Sequence, residues 1–407
     1  MNILYILQQS VYDKEGKWTT ADSNINMMVG ILKELSKKRK KWKFYVLIDR
    51  LKKFRDLKSY LDLIEAENVK FIPFPFIVNA FLNRYNFCVR EFEKVAKSIG
   101  KIDIVWNNIT ELTRNIKTYF YFRQKYLPKF ITCCYWLDLP YLNQSKVPKE
   151  VTYFWRQFDG FECSDLCVFT CKSTLNAFMK HLTLIFKNTF LLKDFCLKTT
   201  IWDFGYSENE ILKYKPKERE IPNKRTILFL NRLSEINYTH HIEFIEAIKI
   251  LSRKRNDFQV IFTNPSMKIS FKQLKKMVPN LFVYKEDVLT REEYVKLLWW
   301  GDISIHLFEK ELYGGCAFRE AIEADNIPVT LPIYEYARIL GDSYPFYIKN
   351  ISPEEIADVL DTILNCLDVC DFRGTKTFSE IKIRNYESSF EKVSNKVILD
   401  IENLFKS

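Results

Sequence analysis

Short apolar, β-branched runs alternate with longer amphipathic stretches along most of this chain, and no other feature limits its fold as much. Asn2 to Gln8, Lys43 to Asp49, Val69 to Ile72, Ile102 to Trp106, Phe130 to Trp136 and Leu166 to Thr170 read as strands. Between them the spacing predicts helices from Asp22 or Ser23 to Leu35, Asp56 to Glu67, Val89 to Ile99 and Thr113 to Lys125. Ser173 is placed to cap a further helix to Met179. Strands with a helix between them pair in parallel, because a parallel crossover needs a helix's length of chain. A Rossmann-like domain follows. The pattern breaks from Asp203 to Pro222, where Phe204-Gly205-Tyr206 reads as a turn and Lys213 to Asn223 is charged and proline-bearing. It then restarts. Strands are expected at Arg225 to Leu230, Phe258 to Thr263, Leu281 to Tyr284, Ile303 to Phe308, Val329 to Leu331 and finally Pro345 to Ile348. Helices are expected at Thr239 to Lys254, Phe271 to Met277, Arg291 to Trp300, Cys316 to Asp325, Pro353 to Cys366 and Glu380 to Phe405.

The segment Gly301 to Leu340 is the most informative part of this second series. Its strand leads through Tyr313-Gly314-Gly315 into a helix with Ala317, Phe318, Ala321, Ile322 and Ala324 at helical spacing. Asn326-Ile327-Pro328 ends that helix. The unit sets a helix N-terminus beside two glycines, where free N–H groups and the helix dipole favour a phosphate. Glu320, about one turn in, can accept hydrogen bonds from ribose hydroxyls. Earlier in the chain, Arg232 directly follows a strand, where a guanidinium can hold a diphosphate through two parallel hydrogen bonds. Asp138 follows the apolar run Phe130 to Trp136 and can act as a general base on an acceptor hydroxyl. An ordinary βαβ turn, a loop arginine and a turn aspartate before Pro140 are the readings that compete with these.

Gly301 to Leu340 resembles the donor-binding segment of nucleotide-sugar glycosyltransferases of the glycosyltransferase-B fold. In many retaining members that segment carries Glu, a glycine turn, a second Glu after seven residues, an Ala-rich helix and Gly-x-Pro-Val-Val. Glu320 matches the second Glu, and Asn326-Ile327-Pro328-Val329 matches the strand entry. Glu311 stands one residue out of register for the first, with Leu312 at the strict position. The run Asn231-Arg232-Leu233 is similar to the family's Gly-Arg-Leu, which is followed, after three intervening residues, by Lys; here Asn231 replaces the Gly and Asn237 the Lys. The resemblance implies two Rossmann-like domains facing across a cleft, with sites at the carboxyl ends of the strands. It sets an acceptor-binding domain over 1–205, a donor-binding domain over 206–379 and a C-terminal helix over 380–407 that crosses back to the first domain. It implies that Arg232, Asn237, Gly314, Gly315 and Glu320 face the donor. Glu311 would steady the sugar, and the backbone at Tyr284 and Lys285 would meet the nucleotide base. Cys134-Tyr135-Trp136-Leu137-Asp138-Leu139-Pro140 is separately similar to the Phe-Thr-Asp-Ile-Arg-Leu-Pro segment of phage DNA glucosyltransferases, whose aspartate is the catalytic base. Arg319 to Asp325 is similar to a second short run of those enzymes.

Composition narrows the alternatives. The 407 residues are 47% hydrophobic and 15% aromatic, enough for two large cores. No run is apolar for long enough to span a bilayer. Met1-Asn2-Ile3-Leu4 enters a strand directly, without a basic n-region, so a cytoplasmic location is expected. The ten cysteines include no CxxC pair, and His181, His240, His241 and His306 have no ligand spacing, so no metal site is expected. His306, inside a strand, reads as core. The net charge of +11, with the run Lys37-Lys38-Arg39-Lys40-Lys41, permits duplex DNA, an anionic membrane or a nucleotide as partner; it also suits a solvated face.

These residues and the resemblance together lead to an expected glycosyltransferase, with no cofactor beyond its nucleoside diphosphate sugar, UDP-sugar foremost. The expected acceptor is a hydroxylated base in phage DNA, deprotonated by Asp138. The alternatives are transfer to a cell-surface or lipid-linked glycan, and a catalytically degenerate module that binds nucleic acid or glycan.

Overall fold

The computed structural model describes residues 1–6, 23–49, 64, 66–74, 88–134, 137, 154–186, 189–203, 205–217, 224–231, 239–263, 271–285, 289–308 and 315–406. The chain forms two compact units, one of Met1–Phe204 with Phe390–Ser407, the other of Gly205–Ser389.

Among the described residues of the first unit the six expected apolar runs become parallel strands, β1 Asn2–Ile6, β2 Lys43–Asp49, β3 Val69–Phe74, β4 Ile104–Asn107, β5 Lys129–Cys134 and β6 Leu166–Phe169, and a seventh that the sequence reading missed, β7 Thr199–Ile201, joins them. Their order is β3-β2-β1-β4-β5-β6-β7. Ile3 pairs with Phe44 on one side and Ile104 on the other, so the order reverses at β1. Every residue of β4 and β6 is buried, as expected of strands covered by helices on both faces. The helices Ser23–Lys38, Val89–Ile99 and Thr113–Arg123 form where the spacing predicted them. The helix expected over Asp56 to Glu67 falls largely outside the described residues. The helix Lys172–Ile185 is capped by Cys171 rather than Ser173. Cys171 has extended backbone angles, and its Sγ accepts the Thr174 N–H, a role its buried position favours over the more exposed serine.

The C-terminal helix Phe390–Asn403 belongs to this unit. It packs on Ser23–Lys38, where the Phe390 ring occupies the space that a Cβ on Gly30 would fill. The Lys38 ammonium donates to Glu391 O, Ser394 Oγ and Asn395 Oδ1, and Arg39 pairs with Glu402 at 2.8 Å. Asp400 accepts from Trp202 Nε1 at 2.8 Å and Thr200 Oγ1 at 2.9 Å. Two cations of the lysine-rich run thus clamp a helix.

The second unit holds a parallel four-stranded sheet, β8 Arg225–Phe229, β9 Phe258–Phe262, β10 Ile303–His306 and β11 Ile327–Thr330, in the order β11-β10-β8-β9. Two expected strands shrink to single bridges. Leu281 forms a single bridge, to Val260, because Asn280 (φ 58°) turns the chain just before it and Phe282 and Tyr284 run out to solvent. Tyr347 forms a single bridge, to Thr330; Pro345 has no N–H for a ladder. The single helix expected from Glu380 to Phe405 is two, Lys376–Tyr386 and Phe390–Asn403. Ser388 and Ser389 turn between them, their N–H groups bonded to Asn385 O and Tyr386 O, and Ser389 pairs with Tyr206. Residues 380–389 therefore stay with the second unit.

Candidate functional site

The helix Cys316–Glu323 connects the parallel strands β10 and β11, so its N-terminus opens at their carboxyl edge. Gly315 precedes it at φ 61°, ψ 154°, a conformation essentially restricted to glycine. This is the helix start that the sequence marks for a phosphate. At the same edge the buried amide of Asn231, two residues past β8, donates to Ile305 O at 3.1 Å and ties β8 to β10. Arg232, Asn237, Glu311 and Gly314 lie outside the described residues, as does Asp138; Leu137 before it is buried.

Ala317, Phe318, Ala321, Ile322 and Ala324 recur at helical spacing in this helix. The structure buries Arg319, Glu320 and Glu323 along with most of these apolar residues. Each finds its partner on another element. Glu320 Oε1 accepts from Arg291 Nη2 at 2.6 Å, and the same guanidinium reaches Glu210 Oε2 at 2.8 Å. Arg291 opens the helix Arg291–Trp300, and Glu210 lies on Glu208–Lys213, capped by Ser207. Burial pushes the Glu320 carboxyl above its ordinary range against the pull of Arg291. Burial also works against the Arg291 charge, but Glu320 and Glu210 outweigh it and hold the guanidinium above its ordinary value. Burial and then the Glu320 carboxylate push the Tyr294 phenol well up. Glu323 accepts from the Tyr206 hydroxyl at 2.8 Å and lies 3.5 Å from Lys382. Arg319 donates to the Ser388 hydroxyl and lies 3.6 Å from Glu335. A Cβ on Gly205 would meet the Arg319 side chain, which explains a glycine there.

Sequence reasoning missed Arg291 and Glu210. Both look like surface charges in polar helices, and only the fold brings them to Glu320. Tyr284 is half-exposed, its ring 5.9 Å from that of Trp300. Lys285 reaches Glu293 at 2.9 Å, beside the Thr290–Glu293 capping box. His306, at the end of β10, is buried edge-on to Phe318 with Nε2 3.1 Å from Ser304 Oγ, and burial lowers its pKa to about 3. Among the described residues, one group has metal-ligand spacing, Asp159, Glu162 and Cys163 in the first unit. Arg114 already binds both of its carboxylates.

No model of a known protein family matches the chain, and no curated protein matches it. Solved structures do. Trehalose-6-phosphate synthase OtsA superposes with a TM-score of 0.69 at 11% identity, covering 99% of both chains. HepE from Anabaena, in complex with UDP and glucose, gives 0.64 at 11% identity, over 98% of this chain and 99% of its own. Sucrose-phosphate synthase from Thermosynechococcus elongatus gives 0.66 at 10%, over 100% and 99%. The likeness shows the glycosyltransferase-B fold along nearly the whole chain. No likeness to a phage DNA glucosyltransferase appears among the structures just named. Among the described residues no helix is long and apolar enough to cross a membrane.

Proposed function

We propose that this chain transfers a sugar from a nucleoside diphosphate sugar, UDP-sugar foremost, to a hydroxyl acceptor. The observation that carries this reading is the helix opened by Gly315 at the carboxyl edge of β10, in a fold shared with a structure that holds UDP and glucose. Free N–H groups there, with Arg232, would hold the diphosphate. Charge builds on that group as the sugar leaves, and fixed donors aimed at developing charge are where most of the rate arises. Glu320 would accept from the ribose hydroxyls. Its guanidinium partner supports the ionised, acceptor-only form that such a contact needs.

For the acceptor, Asp138 is proposed as the base that takes the hydroxyl proton if the reaction inverts. If it retains, Glu311 would steady the sugar. A hydroxylated DNA base remains the acceptor that the Asp138 segment suggests. The similar structures named for trehalose-6-phosphate and sucrose-phosphate synthesis lend it no support.

The test is thermal melting with UDP-, GDP- and ADP-sugars, on the native chain and on Arg232→Ala. A ligand bound only by the folded state raises the melting temperature by mass action. We expect a shift with UDP-sugars that Arg232→Ala loses. No shift with any donor at millimolar concentration would refute the reading and leave a binding module. Given a shift, radiolabelled transfer to hydroxymethylated DNA, to sugar phosphates and to lipid-linked glycans assigns the acceptor.

A further inference from the structure

The carboxyl edge of the first unit's sheet is where folds of this kind place ligands; its amino edge has no role in the reading above. All seven strands are parallel, so the residues just before each strand share that edge. Hydrogen bonds knit it together. Tyr126, before β5, accepts from the Ile102 N–H and donates to Gly100 O, before β4. Lys117, Tyr121 and Phe122 of the helix Thr113–Arg123 line a cavity of 260 Å³ with Glu162 and Cys163, before β6. Lys198, before β7, donates to Glu162 O at 2.7 Å.

Large apolar side chains project from this edge. Tyr121 is 72% exposed, Phe122 75%, Leu127 49% and Leu197 81%. The Tyr121 and Phe122 rings touch each other edge-on at 5.1 Å instead of packing inward. Single exposed apolar residues are ordinary, but several on one edge mark a contact surface. Arg123 and Lys125, both exposed, sit between Phe122 and Leu127, with no carboxylate partner among the described residues. Aromatic and aliphatic side chains interleaved with cations suit the boundary of an anionic bilayer. Rings settle at headgroup depth there and cations meet lipid phosphates. A duplex phosphate backbone would use the cations but gain nothing from Leu127 or Leu197.

We propose that the amino edge of the first unit's sheet docks on an anionic membrane surface through Tyr121, Phe122, Leu127 and Leu197, with Arg123 and Lys125 binding lipid phosphates. The occupant is a bilayer surface rather than a bilayer interior. Docking here leaves the carboxyl edge of the same sheet open.

Flotation with vesicles tests this on the full chain. The vesicles are phosphatidylcholine alone, or equimolar phosphatidylcholine and phosphatidylglycerol. We expect flotation with the anionic vesicles only, weakened by added salt. The pair Arg123→Glu with Lys125→Glu, and separately Tyr121→Ser with Phe122→Ser, should each weaken it by more than about tenfold. The melting temperature should stay unchanged, because these side chains are exposed. Flotation that the variants leave intact would overturn the proposal, as would its absence with both vesicles. Duplex DNA binding, or a concentration-dependent dimer, lost in the same variants without vesicle binding would overturn it in favour of that partner.

Discussion

His306 allows a quantitative test of the second unit's core. It lies at the end of a central strand, 1% exposed, with Phe318 and Tyr336 against its ring. Burial lowers its pKa to about 3, whereas an unfolded histidine titrates near ~6.5. As pH falls, the unfolded chain takes up the proton first and the folded chain resists it. The stabilising contribution of the neutral ring is therefore complete above about pH 6.5, and it is lost as pH falls towards 3. In that window the slope is about 1.4 kcal/mol per pH unit, so about 2 kcal/mol disappears by pH 5. Urea unfolding followed by circular dichroism, at pH 7 and pH 5, on the native chain and on His306→Gln, measures it. The two proteins share every other titrating group, so the difference between their pH responses isolates His306. The native chain should lose about 2 kcal/mol more than the variant. Parallel losses would refute the claim that His306 is held neutral by burial.

Arg291→Met should cost about 3–5 kcal/mol at pH 8, because it strands the buried Glu320 carboxylate. Burial alone then raises the Glu320 pKa further. The loss should shrink as pH falls towards the unfolded value of about 4.3, and melting temperatures across pH 5 to 8 check that sign. Gly30→Ala should cost about 1–3 kcal/mol, since its methyl would sit 2.2 Å from the Phe390 ring. Phe390→Leu in the same chain should recover part of that loss in a double-mutant cycle. Asp400→Ala, which removes the acceptor for Trp202 and Thr200, should cost about 1.5–3 kcal/mol in urea unfolding and quicken proteolysis of the last helix.

Strands were legible in the sequence wherever β-branched runs are buried on both faces. Lys43–Asp49 and the helix Val89–Ile99 form over the residues that the spacing marks. Leu281 to Tyr284 misled because an apolar run looks the same whether it joins a ladder or touches it once. The break at Ser388-Ser389 carries no glycine or proline. It is imposed from outside, by the Arg319 guanidinium and the pairing of Ser389 with Tyr206. Likewise the glycine-led helix and Glu320 could be read from local spacing, while Arg291 and Glu210 could not. They lie 29 and 110 positions from Glu320 by their residue numbers, and no periodicity relates charges that far apart. Helical amphipathicity assigns charge to solvent, and Cys316–Glu323 departs from that rule at three positions because partners from other elements enclose it.

The clasp between Gly30 and Phe390 also bears on how the chain is made. The first unit is discontinuous: its last helix is translated only after the whole of Gly205–Ser389. Until the ribosome has released that final stretch, the apolar face of Ser23–Lys38 that Phe390 covers lacks its lid, and Trp202 lacks Asp400. The second unit is contiguous and can close on itself first. The domain begun first is thus completed last, and a nascent chain paused anywhere before Phe390 exposes that uncovered helix to chaperones and proteases.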